Sequence, residues 1–257
     1  MMPFLLLAVA AATMPNPLQR DDFHWSGGLR SGQTIEIIGV NGDIDATGIG
    51  SGNVDVSATK RARRSDPDDV EIKVIEHEDG VTICAVYPTP RGERENECRP
   101  GGKGHMNTRN NDVNVHFTVR VPAGVRFIGR TVNGGIEADR LDADADAYAV
   151  NGSIRLETRG AGSATTVNGS IDAAIGRADW KGDLEFETVN GRITLALPDD
   201  ASADVRASTV NGHIDTDFPL TVKGRWGPKR LSGTIGGGGR SLSFSTVNGD
   251  IEIRKGR

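Results

Sequence analysis

The stretch "TTVNGSIDA" (Thr165–Ala173) decides the fold, because the chain writes it again and again. "TVNGGIEA" (131–138), "AVNGSIRL" (149–156), "TVNGRITL" (188–195), "TVNGHIDT" (209–216) and "TVNGDIEI" (246–253) keep the formula, and "GVNGDIDA" (39–46) carries it far upstream. The seven pairs are Asn41-Gly42, Asn133-Gly134, Asn151-Gly152, Asn168-Gly169, Asn190-Gly191, Asn211-Gly212 and Asn248-Gly249. Their successive gaps are 92, 18, 17, 22, 21 and 37 residues. Repetition near a period of 20 marks a stacked architecture, in which each unit buries its apolar face on its neighbours. The gap of 37 reads as two units, with "LSGTIGG" (231–237) as a worn copy without its Asn.

After each Asn-Gly, Ile44, Ile136, Ile154, Ile171, Ile193, Ile214 and Ile251 alternate with Asp45, Glu137, Arg155, Asp172, Thr194, Asp215 and Glu252. That is a strand with one buried and one wet face. "LEFET" (184–188) and "LSFST" (242–246) alternate similarly on the other side of the corner. Asn-Gly between such strands is also the strongest short hairpin signal, so an antiparallel β-meander competes. A two-residue hairpin would put Val on the polar face in every copy, however, and turn chemistry does not ask for Val. A parallel, single-stranded β-solenoid accounts for the whole formula. Val then packs on Val inside the corner, Asn amides ladder along the stack, and Gly allows close approach and an unusual φ. The fold expected is therefore all-β, a β-helix-like solenoid over 31–257 preceded by an N-terminal segment at 13–30.

The 92-residue gap holds longer alternating runs, "NVDVSAT" (53–59), "DVEIKVIEH" (69–77), "GVTICAVYP" (80–88) and "DVNVHFTVRVP" (112–122). They predict an insertion at about 60–125, either a lid or enlarged first coils. Cys84 and Cys98 flank a polar, Pro- and Gly-rich loop, and two thiols are too few for a metal site. In an exported chain they predict a disulfide, with free structural thiols as the alternative; closing a loop of about 15 residues is worth about 3 kcal/mol.

Composition bounds the function. With 34 glycines, an aromatic share of 5% and no sustained helical spacing, the chain suits short strands and tight turns. A net charge of −5 gives no support to nucleic-acid binding, and the cluster Lys60, Arg61, Arg63, Arg64 is answered at once by Asp66, Asp68 and Asp69. The apolar run Phe4–Ala12, ending in Ala10-Ala11-Ala12, is too short to span a bilayer and predicts a signal peptide at 1–12. No second apolar segment follows, so no membrane span is expected and the destination is the periplasm, cell surface or medium.

On these residues, together with "TIEIIGVNGDIDATG" (34–48) and "VPAGVRFIGRTVNGGI" (121–136), the chain resembles the bacterial β-strand-repeat family that carries the name adhesin, a domain family of largely unknown function. The resemblance implies a β-solenoid outside the cytoplasm and no catalytic residues to transfer.

Little else carries chemistry. Asp142, Asp144 and Asp146 alternate with Ala and would share a face of one strand, a solvated face rather than a Ca²⁺ site. "GGGGRS" (236–241) lacks the Lys-Ser/Thr of a phosphate loop and reads as a turn. His24, His77, His105, His116 and His213 are scattered. The outward Asp45, Glu137, Arg155, Asp172, Asp215 and Glu252 would line up if the repeats register, which keeps a polysaccharide lyase or hydrolase as the enzymatic alternative. The reading adopted is a non-catalytic, monomeric or weakly associating module without cofactor or metal. Its expected partner is a cell-wall glycan or an envelope protein, and an envelope scaffold or stress-response component is the other alternative.

Overall fold

A computed structural model describes residues 21–220, 222–223 and 228–256; the expected signal peptide lies outside them. Each corner links a strand of one sheet to a strand of the other. The coils are β2 (Thr34–Ile38) with β3 (Ile44–Ile49), β8 (Arg126–Arg130) with β9 (Ile136–Leu141), and β10 (Ala145–Tyr148) with β11 (Ile154–Thr158). Next come β12 (Gly162–Thr165) with β13 (Ile171–Ile175), and β14 (Leu184–Glu187) with β15 (Ile193–Leu197). The last two are β16 (Ala203–Asn211) with β17 (Ile214–Thr216), and β20 (Ser241–Asn248) with β21 (Ile251–Lys255). Pairing between coils is parallel, so the architecture is the β-solenoid and the meander falls away.

The insertion provides both enlarged coils and caps. β6 (Gly80–Val86) pairs parallel with β2, and β7 (Asn114–Pro122) pairs parallel with β3, forming an outer coil whose corner is replaced by a long loop. β5 (Glu71–His77) closes one sheet antiparallel to β6, and β4 (Val54–Arg61) closes the other antiparallel to β7. β1 (Asp21–Gly27) pairs with β4, so the segment expected to precede the domain supplies a strand of it. The 62–70 loop, with its basic residues, is tied down by Asp112, which accepts backbone N–H groups from Arg63, Arg64 and Ser65. These bonds, Ser65 foremost, pull the Asp112 carboxyl down to about 2.

One expectation is corrected at the far end. "LSGTI" is no worn corner: it lies in β19 (Lys229–Ile235), which runs antiparallel along β16 and pairs on its other side with β18 (Val222–Lys223). Nor do the coils stack in chain order. The sheets run β1-β4-β7-β3-β9-β11-β13-β15-β21-β17 and β18-β19-β16-β20-β14-β12-β10-β8-β2-β6-β5. The C-terminal coil β20–β21 is thus inserted between β14–β15 and β16–β17.

The core lies between the sheets. On one side the post-corner isoleucines stack in register: Ile44 on Ile136, then Ile154, Ile171, Ile193, Ile251 and Ile214, each at most 6% exposed. On the other, Ala147, Ala164, Phe186, Phe244 and Ala207 form one row, with the rings of Phe186 and Phe244 stacked at 5.6 Å. A register slip of one residue would turn every inward side chain of a strand to the wet face, so the burial of this row of identical isoleucines fixes the pairing.

The corner glycines are required by contact, not by φ. Among the seven only Gly42 has a positive φ (+126°), which corrects the expectation of special dihedrals. A Cβ on Gly169 would stand 2.1 Å from the Gly152 carbonyl oxygen, and one on Gly191 1.9 Å from that of Gly169. Such contact is far inside van der Waals range. Gly169→Ala should therefore cost about 2–3 kcal/mol through displaced backbone, read as a lowered denaturation midpoint. An unchanged midpoint would show that the stack yields at its corners.

Cys84 and Cys98 form a disulfide with a Cα–Cα distance of 5.8 Å, pinning the 87–113 loop over β2 and β6. Every residue of β6 is buried, one face by the core and the other by this loop. Beneath it Glu36, 3% exposed, accepts hydrogen bonds from Thr82 Oγ1 (3.0 Å), the Gly101 N–H (2.7 Å) and Arg130 Nε (2.9 Å). That set satisfies a carboxylate that would otherwise be costly to bury. Asn96 carries the loop's own fold, donating to the carbonyls of Tyr87 and Asn107. Reduction, or Cys84→Ser with Cys98→Ser, should lower stability by about 3 kcal/mol; a shift below half of that would mean that the Glu36 and Asn96 contacts hold the loop unaided.

Candidate binding edge

Within each corner the four residues have separate duties. The residue before Val points inward: Thr131, Thr166, Thr188, Thr209 and Thr246 are all at most 4% exposed. Each hydroxyl donates to the corner glycine carbonyl of the adjacent coil, as in Thr166 to Gly152 (2.9 Å), Thr188 to Gly169 (2.9 Å) and Thr246 to Gly191 (3.1 Å). The Asn side chains face out and form a continuous amide ladder. Asn133 Nδ2 donates to Asn41 Oδ1, Asn151 to Asn133, Asn168 to Asn151, Asn190 to Asn168, Asn248 to Asn190 and Asn211 to Asn248, all at 2.7–2.9 Å. Each amide uses one N–H and one oxygen lone pair in the ladder, which leaves one of each for another partner.

Val does not pack inside the corner. Val132, Val150, Val167, Val189, Val247 and Val210 are 38–43% exposed and form a row on the outside, in that stacking order. The reason is steric: Thr and the post-corner Ile take the inward directions on either side, and the bend turns the intervening Val away from the core. Val40, the seventh, is 6% exposed and lies beside the disulfide loop.

Where the row meets that loop, Val40, Val132, Val150, Ile38, Met106 and the disulfide line an apolar groove of about 240 Å³. Tyr148 stands on its rim with the Arg130 guanidinium 4.0 Å above its ring. Burial first, and the neighbouring Asp146 second, push the Tyr148 hydroxyl upward in pKa. A larger open groove, about 760 Å³, follows the opposite edge of the coils, past Arg140, Glu157, Arg159 and Pro198. It is lined by the ends of β3, β9, β11, β13 and β15 and by the turns that follow them.

The remaining sequence candidates separate. Asp45, Glu137, Arg155, Asp172, Thr194, Glu252 and Asp215 do form one registered row on a sheet face, with Thr194 interrupting the charges. His116 pairs with Asp45 (3.3 Å), Arg155 with Asp139 (3.3 Å) and Arg254 with Glu252 (2.9 Å). The three aspartates of 142–146 do not share a strand face, because Asp142 and Asp144 lie in the turn before β10. Each goes to a different guanidinium: Asp142 to Arg159, Asp144 to Arg177 and Asp146 to Arg126. The glycine run begins as the turn after β19, where Asp204 accepts the Gly239 N–H and is held below the usual carboxylate range by it. His213 is exposed beside Asp250, whose carboxyl is lowered first by the His213 backbone N–H.

A two-sheeted solenoid with an outward Val row and Asn ladder on one edge defines the class. The chain belongs to the Toastrack DUF4097 family, whose profile matches residues 32–254. Comparison with curated proteins gives no match. Solved structures similar to it include a putative cell adhesion protein from Clostridium sporogenes ATCC 15579, at 13% identity and TM-score 0.47, over 91% of this chain and 99% of that one. A putative adhesin from Bacteroides fragilis NCTC 9343 aligns at 14% identity and TM-score 0.32, over 90% of this chain and 96% of that one.

The third copy of the formula has Ala149 where five of the others place Thr and the first has Gly39, so no hydroxyl reaches the Gly134 carbonyl. Ala149→Thr should add that bond and raise stability by about 1 kcal/mol, seen as a higher melting temperature. A lower one would mean that the groove wall beside Tyr148 has no room for the hydroxyl.

Proposed function

We propose that the protein is an exported, non-catalytic binding module of the cell envelope. The observation that carries this is the register of its outer residues, which repeats the same polar and apolar groups once per coil along one edge. Rows of this kind suit many individually weak contacts to a repetitive partner such as a cell-wall glycan, with avidity supplied by the number of contacts. The disulfide supports an oxidising compartment, since such bonds persist outside the cytoplasm. Among the described residues no helix is long and apolar enough to cross a membrane.

The carbohydrate-active alternative rests on the Asp45–Glu137–Arg155–Asp172 row, where carboxylates and a guanidinium share a face. That row is also what a solvated sheet requires, and the fold alone does not license an activity. One experiment separates the two: incubation with peptidoglycan and with neutral and acidic polysaccharides, scoring pelleted protein and new reducing or unsaturated ends in the same tubes. Co-sedimentation without product is expected. Product formation that disappears in Asp172→Ala would replace the binding module by an enzyme. Neither pelleting nor product would remove the glycan reading and leave a protein partner, to be sought by crosslinking.

A further inference from the structure

We propose that the corner ridge from Val132 to Val210 is the ligand-binding edge, and that its ligand is a neutral, linear glycan laid across the coils. The inference rests on the binding-module reading and names the site and ligand chemistry within it.

The first argument is exposure. An isolated surface valine needs no explanation, but six in one unbroken row form a continuous apolar strip, and the largest such patch on a monomer is often functional. Neither the turn nor the core uses them, since Thr, Asn and Gly close the corner and Ile fills the interior. At about 4.8 Å per coil the row is about 24 Å long and one side chain wide. Six valines two-fifths exposed offer a few hundred Å² at most, against about 800 Å² per partner in a stable protein interface. A second copy or a globular partner is therefore poorly matched, whereas a slender polymer covers such a strip completely.

The second argument is charge. Along the first three coils of the ridge, Val132 to Val167, the residues after the corner glycines are Gly135, Ser153 and Ser170. Charges flank the ridge elsewhere: Arg130 is paired with Glu36, Arg192 and His213 are paired with Asp250, and before Thr188 stands the exposed carboxylate of Glu187. A polyanion would find no free row of cations here, while an uncharged chain gives up no ion hydration by docking.

The third argument is the alternation of chemistry. Beside each Val lies an Asn amide with a spare N–H and a spare oxygen lone pair. A glycan chain presents an apolar C–H face and hydroxyls once per ring, over a length close to one coil spacing. Val takes the C–H face and Asn the hydroxyl, repeated coil by coil. Tyr148 and the groove beside the disulfide loop stop the row at one end.

The test uses a neutral β-linked glucan, N-acetylglucosamine oligosaccharides and polygalacturonate as probes, with affinity measured by calorimetry. Val150→Thr, Val167→Thr and Val189→Thr together keep β-branched side chains and leave the Asn ladder untouched. With circular dichroism and melting temperature confirming the fold, this variant should bind the neutral probe at least about tenfold more weakly. The sheet-face variant Glu137→Ala with Asp172→Ala should bind as the parent does. Parent-like affinity in the Val variant, or loss only in the sheet-face variant, would overturn the ridge as the site while glycan binding stood. Binding of polygalacturonate alone would overturn the neutral ligand. A dimer in sedimentation velocity that the Val variant abolishes would overturn the proposal in favour of self-association. A parent protein that binds none of the probes would remove the glycan reading itself, and this inference with it.

Discussion

The distance between two backbones at the corner governs the molecule. Each corner glycine sits where its missing side chain would collide with the carbonyl of the coil beneath, and that closeness draws the adjacent Thr hydroxyl and Asn amide within hydrogen-bonding range of the next coil. Once the corners are stacked, the isoleucines two residues on are in register without further instruction. The two sheets then need only fill the space between them, with Ala145 and Ala147 against Ile154 and Leu156 in one coil and Leu184 and Phe186 against Ile193 and Leu195 in another. Packing follows from the corner rather than the corner from packing.

A stack of equivalent coils has a cost at its ends, where unpaired strand edges invite association. The chain meets it with antiparallel strands at both ends: β5 over β6 and β1–β4 over β7 at one, β19 over β16 at the other. At the fourth sheet end no antiparallel strand is added, and the edge strand there, β17, is only three residues long. These devices leave the long edges of the coils as the surfaces on which function can be written, and on the corner edge the lettering is uniform.

Much of this was legible in the sequence. Period-two alternation after each Asn-Gly gave the strands, the fixed offset of Ile gave the buried face, and the seven identical corners gave the stack. The direction of Val was not legible, because a bend interrupts the alternation on which such a reading depends. The clue was present all the same: the turn does not require the Val, and six of its seven copies prove to be exposed. The slot taken by the last coil was hidden for a different reason. All coils offer neighbours the same chemistry, so only the 37-residue excursion through β18 and β19 distinguishes insertion from simple addition. Glu36 was hidden too, since its burial depends on a loop 65 residues away whose own sequence reads as solvent-exposed.

That last coil changes what kind of repeat protein this is. A solenoid assembled in chain order can lengthen or shorten by whole units, since each new coil adds to a free end. Here β20–β21 enters between two coils already synthesised, and the end of the stack is occupied by strands made earlier. The array therefore behaves as an arch whose keystone is delivered after the coils on either side of it. The corner ridge becomes continuous only when residues 241–255 take their place between them.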